Sequence, residues 1–221
     1  MKFSKMQGLG NDFVLINGFE EKLDEPALVE AAKKVCDRHF GIGADGLIVA
    51  LPSRIANFRM RIFNPDGSEP EMCGNGIRCF AQYVRQKGLT RESTIEVETL
   101  AGIMRPQILG DEADGKLVRV DMGQPRLNRK DIPVRGDTEQ AIGDTLKVNG
   151  QKYEFTAVSM GNPHCVIFVD DVQNFPVEKI GPQIEQHNLF PRRTNVEFVQ
   201  VVSNSQVKMR VWERGAGETL A

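Results

Sequence analysis

The chain of 221 residues is long enough for one large domain or two of ordinary size. Its 40% hydrophobic and 26% charged residues are the proportions of a folded globular protein, which excludes intrinsic disorder. A net charge of −2, with Lys and Arg scattered rather than grouped, argues against nucleic acid or an anionic membrane surface as partner.

No apolar run reaches membrane-spanning length, and the opening residues Met1 to Gly8 lack the apolar centre of a signal peptide, so a cytosolic (cytoplasmic) protein is expected. Cys36, Cys73, Cys79 and Cys165 show neither a disulfide framework nor Cys-x-x-Cys spacing. Free thiols are therefore expected, and with only His39, His164 and His187 to help, no metal site.

In chain order, Phe13 to Ile16 predicts a short buried strand introduced by Gly8-Leu9-Gly10-Asn11-Asp12, where Asn11 either caps a turn or faces a ligand. Glu25-Pro26 opens an amphipathic helix with Leu28, Ala31, Ala32, Val35 and Cys36 on one face, which makes Cys36 a core residue. The glycines of Gly41-Ile42-Gly43-Ala44-Asp45-Gly46 stand at the wrong offset for a dinucleotide fingerprint and follow a helix rather than a strand. No such cofactor is read there. Strands at 47–51 and 58–63 then lead to the turn Asn64-Pro65-Asp66-Gly67.

The next loop is the most informative stretch of the chain. Cys73 precedes Gly74-Asn75-Gly76 and a helical pattern from Ile77 to Lys87. A cysteine just ahead of a helix meets unpaired N–H groups and the positive dipole end, which favour thiolate, the reactive form. The same N–H groups can hold a carboxylate, and the glycines let backbone approach a ligand. The bland alternative is an ordinary cap with a small apolar residue. Cys79, beside Phe80, Tyr83 and Val84, reads as core.

Strands are predicted at 94–98, 102–109 and 117–122, with a hairpin signal over Gly110 to Gly115. The Pro-, Arg- and Asp-rich stretch from Gly123 to Gly136 places a boundary near its start, giving domains 1–122 and 123–221. Beyond it come strands at 146–148 and 153–159 around Asn149-Gly150, then Gly161-Asn162-Pro163-His164 and a strand over 165–169. A helix over 177–187 and strands at 196–202 and 206–212 complete the pattern.

Two sets of segments repeat in order. Met60 to Asn64 matches Met209 to Glu213, Gly10-Asn11 matches Gly161-Asn162, and Phe40 and Asp45 answer Phe190 and Asn195. Fifty residues separate Gly10 from Met60, and 48 separate Gly161 from Met209. Laid on Met209, Met60 brings Cys73 one place past Ala221, and Gly215-Ala216-Gly217 heads toward a helix without a counterpart in the chain. A chain truncated relative to the intact protein is expected on this ground, and a fragment without turnover.

These residues together resemble diaminopimelate epimerase. The matching pieces are Gly8 to Phe13, Phe40 to Asp45, Phe63 to Gly67, Met72 to Gly76, Ser159 to His164 and Glu213 to Thr219. The resemblance implies an α/β fold of α+β type: two pseudo-symmetric domains, each a curved mixed sheet wrapped around a central helix, with the active site in the interdomain cleft. It implies interconversion of LL- and meso-diaminopimelate without pyridoxal phosphate or any other cofactor, for lysine and peptidoglycan synthesis. One thiolate removes the α-hydrogen while a thiol on the opposite face delivers another.

Cys73 matches the first catalytic cysteine of that family, and the second would follow Ala221. By residue match, Asn11, Asn64, Gly74, Asn75, Asn162, Asn195, Glu213 and Arg214 would bind substrate, while His164 and Glu213 would tune cysteine protonation. Without the match, His164 reads as a strand-end histidine satisfied locally. A homodimer is the assembly expected. The runner-up is a related two-cysteine proline or hydroxyproline racemase. A Cys73–His164 hydrolase or acyltransferase and a non-catalytic amino-acid-binding module stand behind it.

Overall fold

Successive side chains of a strand point to opposite faces, so a continuous apolar run can feed two cores at once, as β-strands in the first half of this chain do. The computed structural model describes residues 2–21, 24–109 and 117–220, and the hairpin signal over Gly110 to Gly115 lies outside them. The chain forms two compact units, Met1–Met122 and Gly123–Ala221.

In the first unit, β1 (Ser4–Gly8) and β2 (Asn11–Asn17) form an antiparallel hairpin. The chain crosses through α1 (Glu25–Cys36) to β3 (Gly46–Leu51), which runs parallel to β2. Next, β4 (Phe58–Phe63) pairs antiparallel with β3. After α2 (Gly74–Gln86), β5 (Val97–Thr99) joins parallel to β4, and β6 (Gly102–Met104) closes the order β1-β2-β3-β4-β5-β6.

Alternation splits this sheet cleanly. Phe13, Leu15, Ile48, Ala50, Met60 and Ile62 face Ile77, Phe80 and Val84 of α2. Val14, Ile16, Leu47 and Val49 face Leu28, Ala32 and Cys36 of α1. Each fully buried Leu, Ile or Phe contributes on the order of 2 kcal/mol, so the two layers hold the sheet firmly. The single strand expected over 102–109 is two: Pro106 has no N–H to donate, and its carbonyl accepts from Ile95 (3.2 Å). The chain therefore leaves β6 and forms β7 (Gln107–Leu109), paired with β8 (Leu117–Arg119) in a separate ribbon.

In the second unit, β9 (Asp144–Val148) and β10 (Gln151–Ser159) meet at Asn149-Gly150, both at positive φ (52° and 81°), as a tight hairpin turn requires. Then come β11 (Pro163–Phe168), α3 (Val177–Glu185), β12 (Asn195–Ser203), β13 (Gln206–Glu213) and a short β14 (Gly217–Thr219). The sheet order is β14-β13-β12-β11-β10-β9, with β11 and β12 parallel across α3. Its core joins Phe155, Cys165, Ile167, Val196 and Phe198 to Ile180 and Ile184 of α3. Among the described residues no helix is long and apolar enough to cross a membrane.

Candidate active site

Cys73 is the N-cap of α2. Its extended backbone (φ −141°, ψ 114°) turns the chain into the helix, and its sulfur accepts from the Gly76 N–H at 3.3 Å. The helix thus begins at Gly74, three residues before the apolar periodicity starts at Ile77, because the sulfur satisfies a donor that would otherwise lack a partner. Gly76 is needed for a close approach: a Cβ there would lie 3.2 Å from the Cδ1 atoms of both Ile48 and Ile62. The start of α2 therefore sits directly on the sheet.

Asn11, at the head of β2, is 1% exposed and turns its Oδ1 toward the Cys73 sulfur at 3.8 Å. Its Nδ2 donates to Asp45 Oδ2 (2.7 Å), which also accepts the Asp12 N–H (2.9 Å). Arg38 Nη2 donates to Asp45 Oδ1 and Asp12 Oδ1, both at 2.7 Å, and Lys5 Nζ stands 3.1 Å from Asp12. Burial works to raise the Asp12 carboxyl, but Arg38 and Lys5 outweigh it and bring it down to about 2. Asn75, half-buried, accepts from Arg78 through Oδ1, and Gly74 is half-buried beside it. Asn64 is buried in the turn after β4, its Nδ2 donating to Ser68 Oγ (3.1 Å).

The other thiols are differently placed. Burial pushes Cys36 up to about 12 and Cys79 up to about 11, and raises Cys165 well above the usual thiol range. Cys73 alone among the four is half-buried rather than buried.

The second unit gathers the remaining residues in two places. At the start of β11, His164 Nε2 meets Asn162 Oδ1 (2.8 Å), and its Nδ1 meets Glu197 Oε1 on β12 (2.6 Å). A carboxylate only accepts, so the Nδ1 side carries a proton. At the start of β12, Asn195 donates to the Pro163 carbonyl (3.2 Å) and accepts the Arg214 N–H (2.8 Å). Glu213 Oε1 accepts from Thr219 Oγ1 (2.9 Å), and the Arg214 guanidinium donates to the Arg192 carbonyl (3.2 Å). The histidine is not satisfied by backbone but by two side chains.

Sequence reading assigned no role to Asp45 or Glu197. Asp45 lay inside a quoted motif without a partner, because its contact spans 34 residues of chain. Glu197 was signalled only as a carboxylate between the apolar Val196 and Phe198, and its Oε2 is buried with no partner among the described residues.

Comparison with known proteins places this arrangement. The family model for diaminopimelate epimerase matches residues 3–128 and 156–221. The chain is 57% identical over 221 residues to a diaminopimelate epimerase of Pelotomaculum thermopropionicum, covering all of this chain and 79% of that protein. It is 52% identical to one of Methanococcus maripaludis, again over 79% of that protein. Among solved structures, a probable proline racemase from Agrobacterium radiobacter, with bound carbonate, superposes with a TM-score of 0.75 at 11% identity, covering 99% of this chain and 72% of that one. A hydroxyproline epimerase from Agrobacterium vitis gives 0.72 at 12%, over the same shares, so both share the fold. With the family model matched over most of its length and relatives more than half identical to it, the chain belongs to the diaminopimelate epimerase family.

Proposed function

We propose that the protein interconverts LL- and meso-diaminopimelate by two-thiol proton transfer at one α-carbon, without pyridoxal phosphate, in the cytoplasm and as a homodimer. The reaction supplies lysine and peptidoglycan synthesis. Cys73 at the head of α2 is the observation that carries this reading: a half-buried sulfur among N–H donors, in a chain whose other three thiols are buried and hard to ionise.

An amino-acid α-hydrogen is a weak acid, and its removal leaves charge on the adjoining carboxylate. Backbone N–H groups at Gly74 and Asn75 are suited to hold that carboxylate and spread the charge. A sulfur on one face takes the α-hydrogen as a proton, and a thiol on the other face returns one, which inverts the carbon. Cys73 serves one face, while burial argues against Cys36, Cys79 or Cys165 serving the other.

Asn11, Asn64, Asn162 and Asn195 offer amides to orient the amino and carboxylate groups, with Glu213 and Arg214 supplying one charge of each sign. His164 and Glu213 bias thiol protonation. Racemases of cyclic amino acids are related at the level of fold, at 11–12% identity, which does not favour their substrates here. The test is LL-diaminopimelate in D2O: the intact protein should place deuterium at one α-carbon, and Cys73→Ala should abolish it, a loss of at least about a thousandfold. Undiminished exchange in Cys73→Ala would remove the assignment, and exchange into proline instead would replace the substrate.

A further inference from the structure

We propose that Asp45, itself held by Arg38, is a positioning residue that locks the Asn11 amide with its oxygen on Cys73 and so holds the resting sulfur in its protonated form. The steps are elementary. A carboxylate has no proton to give, so the amide end within 2.7 Å of Asp45 Oδ2 is Nδ2. The other end, Oδ1, is then left for the sulfur, 3.8 Å away. An amide oxygen only accepts, so the contact is attractive when Cys73 is Sγ–H and repulsive when it is S⁻.

Asn11 cannot turn over freely, being 1% exposed, and turning it would set an oxygen against the Asp45 carboxylate. Arg38 makes that carboxylate tolerable by donating to its far oxygen at 2.7 Å. The Gly76 N–H and the helix dipole pull the sulfur the other way, toward thiolate. Asn11 opposes them by direct contact. Charged groups on the surrounding elements are Lys5, Asp12, Arg38, Asp45, Glu71 and Arg78. In the proposed reaction this makes Cys73 the sulfur that delivers a proton first, and that meaning rests on the epimerase reading.

The experiment reads the sulfur without turnover. Iodoacetamide alkylation of Cys73 is followed against pH by peptide mass spectrometry, with Cys36, Cys79 and Cys165 as internal monitors of unfolding. Asp45→Ala frees the Asn11 amide to present Nδ2–H, and the alkylation midpoint should fall by about one pH unit, a roughly tenfold faster reaction below it. Asp45→Asn removes the same charge yet keeps an oxygen for Asn11 Nδ2, so its midpoint should return toward wild type. Asn11→Ala should fall as Asp45→Ala does, and the double variant should add nothing.

Equal shifts in Asp45→Ala and Asp45→Asn would assign the effect to charge alone and overturn the proposal, as would an unmoved midpoint. If Asp45→Ala exposes the buried thiols, Arg38→Gln, a surface change that loosens Asp45, should move the midpoint the same way by less. No movement there overturns it too. Absence of epimerase activity in the intact wild-type protein, with these midpoint shifts observed, would strike the functional reading and leave this one standing.

Discussion

The two sheets follow one plan and end in different surroundings. In each, an antiparallel pair (β1–β2, β10–β11) is followed by a helical crossover (α1, α3) to a parallel strand (β3, β12) and an antiparallel return (β4, β13). Even an ion pair is repeated: Arg61 forks onto both oxygens of Glu69 (2.8 and 2.8 Å), and Arg210 onto both of Glu218 (2.7 and 3.0 Å). Yet the face that meets α2 in the first sheet is open in the second, where Phe168, Val201, Val207 and Met209 are 50–65% exposed. A shared scaffold therefore constrains strand order and pairing, while the chemistry at the strand ends is set separately.

The comparison is broken most severely by charge. Met60 is 3% exposed and Met209, its counterpart, is 50% exposed. Met60→Lys should cost at least about 4 kcal/mol in urea unfolding, because an ammonium would enter the α2-side core. Next come the helices. A Cβ at Gly181 would sit 2.6 Å from Trp212 Cβ and Cγ. Gly181→Ala should destabilise by about 3 kcal/mol, although alanine ordinarily favours a helix by about 1 kcal/mol. Ala32 shares the α1-side core with Phe63, and Ala32→Gly should cost only about 1–2 kcal/mol.

Replacing the fork by a point charge sharpens the likeness. Arg61→Lys and Arg210→Lys should each lose about 1 kcal/mol, the first more because its side chain is 13% exposed against 31%. The remaining effect is with acid. The Asp12 carboxyl lies at about 2 when folded, below its unfolded value near 4, so its contribution is present above that value and is lost as pH falls toward 2. Asp12→Asn should flatten that acid limb by about 1–2 kcal/mol, with no parallel in the second unit, where Pro163 and Asn195 are uncharged.

Continuous apolar runs made β2 and β3 legible in the sequence, apolar residues at every second place did so for β4 and β10, and the spacing of Leu28, Ala32 and Cys36 placed α1. The edge strand β1 was missed because Ser4 to Gly8 is polar and pairs on one side only. β14 was missed because three residues carry no period. Phe40 and Phe190 matched as letters but not as environments: one is 96% exposed, the other 2%. Cys73 was singled out through its place before a helix, a local signal. Its Asn11–Asp45–Arg38 support was not, since those hydrogen bonds join segments 34 and 7 residues apart whose pairing only the folded sheet decides.

Because the Cys73 sulfur also ties down the Gly76 amide, the first turn of α2 works as a gauge of what happens to Cys73. An adduct on the sulfur withdraws the acceptor, so amide hydrogen exchange at Gly76 and its neighbours should quicken while the middle of the helix stays protected. Occupancy by any thiol-directed inhibitor can thus be followed in the backbone itself, with no chromophore and no turnover assay.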